Sequence, residues 1–316
     1  MIYYMSAMVK ESMGTSIERR DYAGWANSWW LSNGDVELVV PADIGPRIMR
    51  YGFIGGQNLF HNFPDTLGRS GESTWQNRGG HRLWAAPEDP VISKALDNGP
   101  VEVVAEDLRL RVRQAVEPEG GLEKEIEITL APIGTNVAVR HRITNRNPAT
   151  VRYAPWALSV MRPGGTAVTG FPPRCRHDER LLPTNPLVMW GYTDFCDPRW
   201  RLTHRFLLLR QDPDATSPQK AGTFAEDAWA AYFVGCDLFL KRATAVAGAD
   251  YPDFGCSVEI FTNAAMLELE TLGPLSMVEP GASVEHTEEW SLHCIADPAA
   301  MDDAQLAGVF NALLAR

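Results

Sequence analysis

Two glutamates near the C-terminal end of the chain have the type and spacing for acid–base chemistry. Apolar and polar residues alternate in Ala265–Thr271, which predicts a β-strand, because successive side chains of a strand point to opposite faces. Glu268 and Glu270 then share one face, about 7 Å apart, the rise of two strand residues. Carboxylates placed in this way can exchange protons with a substrate. The alternative is that both belong to a solvated strand face, as most exposed acids do.

The sequence around these glutamates resembles a known superfamily. LELETLGP, followed by a short linker and then PGASVEHTEEWSLH, resembles the last two strands of galactose mutarotase-like proteins, the aldose 1-epimerase superfamily. The earlier stretch DIGPRIMRYGFIGGQNLF is similar to the opening of that superfamily, with Asn58 as the asparagine of a G-x-N-L turn. The resemblance implies a large antiparallel β-supersandwich that acts on a sugar. It also implies that Glu270 is the general base.

A second candidate segment is Asn77–Trp84, NRGGHRLW. Mutarotases have a substrate-binding histidine in a His-Gly-Gly loop near this point, and related hexose-6-phosphate epimerases have a Gly-Gly loop that leads into the site. The order here is Gly-Gly-His, and the resemblance implies a catalytic role for His81. The alternative is a loop histidine that hydrogen-bonds backbone groups. Arg82 is expected to hold sugar hydroxyls or a carboxylate, and Trp84 to stack on a sugar ring.

The chain departs from the superfamily at Ala154–Met161, APWALSVM. Mutarotases have a Pro-Thr-Asn-His phrase there, and its histidine is the general acid. Without that histidine, either another residue donates the proton or the chain does not catalyse that reaction. The candidate donors are His81, His177 and Lys220, and Lys220 is also expected to bind substrate. Trp156, from the divergent segment itself, is expected to bind substrate as well.

Other candidates lie outside these motifs. Glu268 shares a strand face with Glu270 and could bind hydroxyls. Asp194 lies in Met189–Trp200, a loop dense in aromatic residues and carboxylates. A purely structural turn is the alternative for Asp194, because aspartate is common in turns. Glu270 paired with Glu88 or Asp194 could instead flank a glycosidic bond. The histidines of predicted strands are interpreted as structural: His141, His286 and His293.

Composition limits the partners and the compartment. The 316 residues have a formal net charge of -11 and no basic patch, which disfavours nucleic acid and anionic membranes as partners. Five widely spaced cysteines without C-x-x-C predict reduced, mostly buried thiols rather than disulfides or a zinc site. No stretch resembles a signal peptide or a transmembrane helix. We therefore expect a cytoplasmic protein that binds a small carbohydrate and uses neither a metal ion nor another cofactor.

Short alternating segments predict β-strands through most of the chain. Leu108–Val116 and Leu122–Leu130 are predicted to form a hairpin around a turn at Glu119–Gly121, with rows of arginine and glutamate facing each other. His61–Pro90 is long, rich in glycine and polar residues, and is interpreted as a functional loop.

The predicted architecture is one all-β domain over residues 1–316. Residues 1–32 are predicted to be an irregular N-terminal extension. Residues 301–316 are predicted to form a helix, because apolar residues recur on one face after Asp302, a suitable N-cap. Strands throughout and no linker favour one large antiparallel β-sandwich over two domains.

Three functions remain open from the sequence. The first is an aldose 1-epimerase-like enzyme that interconverts anomers of a free sugar or sugar acid by general acid–base catalysis. The second is a non-catalytic carbohydrate-binding or sensing protein on the same fold. The third is a glycoside-cleaving or sugar-isomerising enzyme on that fold.

Overall fold

The computed structural model describes residues 14–315, and β-strands dominate it. The strands, in chain order, are β1 (Ser16–Tyr22), β2 (Trp25–Ser32), β3 (Val36–Pro41), β4 (Arg47–Ile48), β5 (Arg50–Phe53), β6 (His81–Ala86), β7 (Glu102–Glu106), β8 (Arg109–Arg113), β9 (Leu122–Leu130), β10 (Val137–Asn145), β11 (Val151–Met161), β12 (Thr166–Gly170), β13 (Leu187–Met189), β14 (Trp200–Leu202), β15 (Phe206–Arg210), β16 (Gln219–Thr223), β17 (Asp227–Val234), β18 (Asp237–Thr244), β19 (Val258–Thr262), β20 (Leu267–Leu272), β21 (Ser276–Val278) and β22 (Ser283–Cys294). The helical elements are 3₁₀ turns at Pro64–Thr66 and Pro298–Ala300, a short turn at Pro252–Gly255 and a C-terminal helix, Asp303–Leu314. The all-β prediction is confirmed.

Three antiparallel sheets contain these strands. A ten-stranded sheet has the order β14-β15-β12-β17-β18-β22-β10-β9-β8-β7, and a four-stranded sheet has the order β1-β2-β3-β5. An eight-stranded sheet has the order β13-β16-β19-β20-β11-β6-β4, with β21 paired to one end of β11. Buried apolar side chains from all three sheets, among them Leu38, Leu269 and Trp290, form one large core.

The hairpin of β8 and β9 shows how the sequence pattern builds the ten-stranded sheet. Leu110 pairs with Ile128 and both are buried in the core. The same register places Arg111 opposite Glu127 on the other face, as the alternation predicts. Opposite charges facing each other across strands contribute a few tenths of a kcal/mol per pair at an exposed position. These rows therefore support the scaffold rather than a reaction.

The N-terminal region is more regular than predicted. From Ser16 onward it forms the hairpin of β1 and β2, and β2 pairs with β3. The tryptophans Trp29 and Trp30 are neighbours and so lie on opposite faces of β2, which hides the apolar–polar alternation that marks a strand. The remainder of the predicted extension, residues 1–13, lies outside the described residues.

The predicted long loop His61–Pro90 is shorter in the structure. Pro64–Thr66 is a 3₁₀ turn, and β6 pairs with both β4 and β11. All six residues of β6 are buried, so both faces of this strand are covered and no exposed polar face marks it. His81 is therefore the first residue of a strand and not a loop residue.

The C-terminal helix is twelve residues long and begins after the N-cap Asp302, as predicted. The Asp302 side chain accepts hydrogen bonds from two backbone N–H groups of the first turn. Phe310 packs on the ten-stranded sheet, where its ring stacks on Trp229 with centroids 4.8 Å apart. Within residues 14–315, no helix is long and apolar enough to cross a membrane. Arg316 lies outside the described residues.

The cysteines differ from the prediction in their exposure. All five are free, but only Cys256 is buried. The others lie in loops or at the end of a strand, where apolar neighbours do not surround the thiol: Cys175, Cys196, Cys236 and Cys294.

The two faces of the eight-stranded sheet have different partners. Along β20, Leu269 and Thr271 face the ten-stranded sheet, where Thr271 Oγ1 lies 2.7 Å from His286 Nε2 of β22. Glu268 and Glu270 alternate with them and point the other way. We call the surface that carries these two glutamates the outer face.

Candidate active site

The outer face gathers charged and aromatic side chains from five strands. The cross-strand register places Arg82 opposite Leu158, Leu158 opposite Glu270, and Glu270 opposite Glu259. Neighbouring outer-face positions hold Trp84, Trp156, Lys220 and Glu268. All of these side chains are buried. The alternation of each strand therefore brings together residues that are far apart in the sequence.

Glu270, the expected general base, is held by two donors. Its Oε2 accepts hydrogen bonds from Trp156 Nε1 at 2.8 Å and from Lys220 Nζ at 2.9 Å. The residue is 1% exposed. Charge-assisted hydrogen bonds of this kind fix a carboxylate in one orientation. The structure thus brings together three of the residues singled out in the sequence.

Lys220 lies between two carboxylates and two indole rings. Its Nζ is 2.7 Å from Glu259 Oε2 and 2.9 Å from Glu270 Oε2. The rings of Trp156 and Trp190 have centroids 4.8 and 4.7 Å from Nζ, within the range of cation–π attraction. Burial lowers the pKa of Lys220, but the two carboxylates outweigh burial and hold that pKa well above its usual value. Lys220 therefore stays charged at neutral pH.

Glu259 is the residue of this cluster that the sequence interpretation missed. It lies on β19 directly opposite Glu270 and is fully buried. Burial raises the pKa of Glu259 well above its usual value; Lys220 opposes this rise and Glu270 adds to it. A signal was present, because Val258 and Ile260 flank Glu259 in the apolar–polar alternation of a strand.

Arg82 and Glu268 form a buried ion pair beside this cluster. Arg82 Nη2 lies 2.9 Å from Glu268 Oε1, and the guanidinium carbon lies 4.4 Å from the ring centroid of Trp84 and 5.9 Å from that of Trp75. Arg82 Nε and Nη1 have no hydrogen-bond partner among the described residues. Two buried donors without partners suit a polyol or a carboxylate, which can accept both hydrogen bonds. The structure brings Arg82, Trp84 and Glu268 together on the outer face, and their roles in substrate binding stay predictions.

A turn formed by Trp190–Thr193 lies against Lys220, and we call it the cover turn. The backbone N–H of Trp190 donates to Thr193 Oγ1 at 2.9 Å, and that of Thr193 donates to the Trp190 carbonyl at 3.0 Å. The Thr193 hydroxyl in turn donates to the backbone carbonyl of Lys220. Tyr192 is 42% exposed at the surface of the turn, and burial of its hydroxyl raises its pKa to about 12. With the Trp190 ring 4.7 Å from Lys220 Nζ, the cover turn lies over Lys220, the partner of Glu270.

Three further candidates are not part of this cluster. Asp194 follows the cover turn, and its Oδ1 accepts a hydrogen bond from the backbone N–H of Cys196 at 2.8 Å. This is the structural turn that the sequence offered as the alternative. Glu88 and His177 are exposed. Within residues 14–315, none of the three hydrogen-bonds or ion-pairs with Glu270.

His81 lies on the opposite face of the sheet from Glu270. Its Nδ1 is 2.9 Å from Ser159 Oγ, and its Nε2 is 2.7 Å from His141 Nε2. Burial lowers the pKa of His81 well below its usual value, although Glu288 opposes this change. A catalytic pair of His81 and Glu270 does not agree with this placement, because the strand period that directs Arg82 outward directs His81 inward.

The histidines between the sheets form a satisfied hydrogen-bond network. His141 Nδ1 donates to the His286 carbonyl at 3.0 Å, so His141 Nε2 is an acceptor and His81 Nε2 must donate to it. Glu288 lies beside them, with its Oε1 2.7 Å from Lys241 Nζ. His81, His141 and Glu288 bring ligand atoms within 4.8 Å of one another, as a metal site would. The ammonium of Lys241 and the hydrogen bond between the histidines favour the network over a cation.

The outer face of β11 lacks the histidine expected of a mutarotase. Its outward positions are Trp156, Leu158 and Val160. The indole of Trp156 reaches Glu270, whereas Leu158 and Val160 have no polar atoms. A proton donor for this site must therefore come from another strand.

Comparison with solved structures identifies the fold. A galactose mutarotase-like protein from Lactobacillus casei superimposes with a TM-score of 0.54 and 11% identity over 84% of this chain and 99% of that protein. A proposed aldose 1-epimerase from Klebsiella pneumoniae gives a TM-score of 0.57 and 12% identity over 95% of this chain and 86% of that protein. The Slr1438 protein from Synechocystis sp. PCC 6803 gives 0.54 and 13% over 93% of this chain and 100% of that protein.

These similarities show that the chain has the galactose mutarotase-like fold, as its sequence motifs predict. No protein-family model matches the sequence, and no curated protein matches it. At 11–13% identity these similarities show the fold and do not identify a reaction. The reaction has to be inferred from the residues of the site.

Proposed function

We propose that this protein is a carbohydrate-active enzyme of the aldose 1-epimerase type, which interconverts the anomers of a free sugar or sugar acid. The observation that carries the proposal is the carboxylate of Glu270, held by Trp156 and Lys220 on the outer face of a mutarotase-like fold. Glu270 acts as the general base that takes the proton of the anomeric hydroxyl. Removal of that proton by a positioned group accelerates ring opening by roughly 10²–10⁴-fold.

The groups around Glu270 suit a sugar. Trp84 and Trp156 pack edge to face with ring centroids 5.5 Å apart, and aromatic surfaces of this kind pack on the apolar faces of pyranose rings. The unpartnered donors of Arg82 hydrogen-bond hydroxyl groups or the carboxylate of a sugar acid, and Glu268 accepts from hydroxyl groups. Hemiacetal opening is a proton-transfer reaction, and the residues of the site supply groups for it.

The proposal requires the cover turn to move. Glu270 is 1% exposed and the Trp190 ring lies over its partner Lys220, so we infer that a sugar reaches Glu270 when the cover turn moves away. Closure over a bound substrate excludes water and strengthens the electrostatic interactions inside a site. The five free cysteines agree with action in a reducing compartment, and we infer the cytoplasm.

The test is exchange NMR between α and β anomers for a panel of aldoses and uronic acids. The protein is expected to accelerate exchange for at least one sugar, and Glu270→Gln to reduce that rate by roughly 10²–10⁴-fold. Glu127→Gln is the matched control, because Glu127 lies on β9 in the other large sheet. Acceleration that survives in Glu270→Gln would remove Glu270 from the mechanism.

A non-catalytic sugar-binding protein is the second candidate, and the outer face of β11 favours it. Trp156 and Leu158 stand there in the segment where mutarotases have their acid histidine. Sugar binding measured by calorimetry, without anomer exchange for any sugar of the panel, would support this candidate over the enzyme. Cleavage of aryl glycosides would instead support a hydrolase on the same fold.

A further inference from the structure

Glu259, Lys220 and Glu270 form a compact charged cluster. Glu259 and Glu270 are direct cross-strand neighbours on β19 and β20. The ammonium of Lys220 contacts both carboxylates, at 2.7 and 2.9 Å. If all three groups were ionised, the two carboxylates and one ammonium would leave one uncompensated negative charge.

Burial makes that uncompensated charge unfavourable. The three side chains are buried. A buried carboxylate that is neither solvated nor paired takes up a proton, because burial disfavours its ionised form. The nearby cations are already paired, Arg82 with Glu268 and Lys241 with Glu288 between the sheets, and Asp253 adds a negative charge near the cluster. Burial raises the pKa values of Tyr192 and Cys256, which stay neutral. The cluster is therefore expected to hold one additional proton at neutral pH.

The contacts indicate which carboxylate holds that proton. Glu270 Oε2 accepts hydrogen bonds from Trp156 and Lys220, whereas Glu259 has the Lys220 ion pair but no hydrogen bond of good geometry among the described residues. The raised pKa of Glu259, caused first by burial, agrees with a protonated carboxyl. Lys220 is the poorer donor, because its pKa is also raised and it keeps its proton.

We propose that Glu259 is the general acid of this site and donates a proton to the ring oxygen of the sugar. This inference rests on the proposed function. Glu259 would take the role of the acid histidine that β11 lacks. The two neighbouring carboxyl groups would then have opposite roles, Glu270 as base and Glu259 as acid, because their surroundings differ. The anomeric hydroxyl and the ring oxygen are bonded to the same carbon, so two adjacent carboxyl groups can reach both.

Ring opening and closure balance with these two groups. Glu270 takes the proton of the anomeric hydroxyl, and the electron pair of that O–H bond forms the carbonyl of the open chain. The bond from the anomeric carbon to the ring oxygen breaks, and the ring oxygen keeps its electrons and takes the proton of Glu259. After rotation about the C1–C2 bond, the reverse transfers close the ring as the other anomer and return both protons.

The experiment compares anomer exchange and its pH dependence in wild-type protein, Glu259→Gln and the control Glu127→Gln. Glu259→Gln is expected to lower kcat by roughly 10²–10⁴-fold and to abolish the decline of kcat at high pH, since an amide cannot act as the acid. The infrared spectrum of the wild-type protein at neutral pH is expected to contain the carbonyl stretch of a protonated carboxyl, which Glu259→Gln removes and Glu127→Gln retains.

The outcomes separate this inference from the proposed function. Wild-type protein without anomer exchange overturns both. Exchange that depends on Glu270 but keeps its rate and pH profile in Glu259→Gln overturns the role of Glu259 alone. If Glu259→Gln does not fold, the wild-type infrared spectrum decides: absence of a protonated carboxyl band at neutral pH overturns the inference, and a band that disappears as kcat declines with rising pH supports it.

Discussion

The indole Nε1 of Trp156 donates a hydrogen bond to Glu270 Oε2 over 2.8 Å, between the neighbouring strands β11 and β20. Trp156 belongs to the segment that differs from mutarotases, so the same segment that lacks the acid histidine supplies a partner for the proposed base. An indole N–H donates but does not titrate. Trp156 therefore positions Glu270 and leaves proton donation to another group.

Loss of this hydrogen bond is expected to destabilise the fold. Trp156→Phe keeps an aromatic ring but removes the donor, which costs roughly 1–3 kcal/mol for a buried bond to a charged group. Urea denaturation measures the change in the free energy of unfolding. Trp30→Phe is the matched control, because Trp30 Nε1 has no hydrogen-bond partner among the described residues. An equal loss in both variants would mean that ring packing, and not the hydrogen bond, explains the effect.

Removal of the Lys220 ammonium is expected to have a larger effect. Lys220→Met leaves Glu259 and Glu270 buried without their cation, and breaking a buried ion pair from one side costs about 3–5 kcal/mol. A carboxyl with a raised pKa binds more protons in the folded than in the unfolded state, so this loss grows as pH rises. Urea denaturation at pH 5 and pH 8 measures the trend, with Lys94→Met as an exposed control. A deficit independent of pH would contradict the prediction.

The buried histidines are expected to make the protein less stable in mild acid. Burial lowers the pKa of His286 to about 3 and also lowers those of His81 and His141, whereas an unfolded histidine has a pKa of about 6.5. The unfolded state therefore binds more protons below about pH 6.5, and stability falls as pH decreases through this window. Each histidine contributes up to roughly 1.4 kcal/mol per pH unit.

Urea denaturation between pH 7 and pH 5 measures this effect by comparison of variants, because the raised pKa of Glu259 adds the same opposite slope to each of them in this window. His286→Gln is expected to reduce the slope of stability against pH, and His177→Gln, at an exposed position, to leave it unchanged. Equal slopes in wild-type protein and His286→Gln would show that His286 is not a source of the acid sensitivity.

Sugar binding is expected to move the cover turn. Trp190 lies 4.7 Å from Lys220 Nζ, and displacement by a sugar changes the surroundings of its indole. We expect a change in tryptophan fluorescence on sugar addition, most of which is lost in Trp190→Phe. Trp29→Phe is the control, because Trp29 lies on β2. This variant is expected to keep the full fluorescence change. A full fluorescence change in Trp190→Phe would indicate that the sugar enters without moving this side chain.

The sequence pattern predicts the part of the site that lies on clearly alternating strands. Glu268 and Glu270 fall on one face, as the alternation in Ala265–Thr271 predicts, because a strand can bury one face only if its side chains alternate. Glu259 lies outside the segment Phe261–His293 that resembles the family, and the alternation with Val258 and Ile260 predicts only its strand face, not a role in the site. Its partnership with Glu270 depends on β19 and β20 being neighbours, which only the folded chain defines.

The Gly-Gly-His motif alone does not predict the face of the sheet on which His81 lies, because that face depends on the strand register. The Gly-Gly-His order places the histidine three positions later, relative to the two glycines, than His-Gly-Gly does, and a shift by an odd number of residues exchanges the faces of a strand. Arg82 therefore occupies the outer face and His81 the space between the sheets. Once β6 is recognised as a strand, its alternation predicts that Arg82 and Trp84 share one face and that His81 and Leu83 share the other.

The shared ammonium of Lys220 has a consequence for the charge of the site during the proposed reaction. When Glu270 has gained a proton and Glu259 has lost one, the total charge of the cluster is unchanged, and the same ammonium contacts both groups at nearly equal distances. The proton transfers therefore leave no additional buried charge in the cluster when the ring opens. A site whose net charge stays constant avoids the cost of burying a new unpaired charge during the reaction.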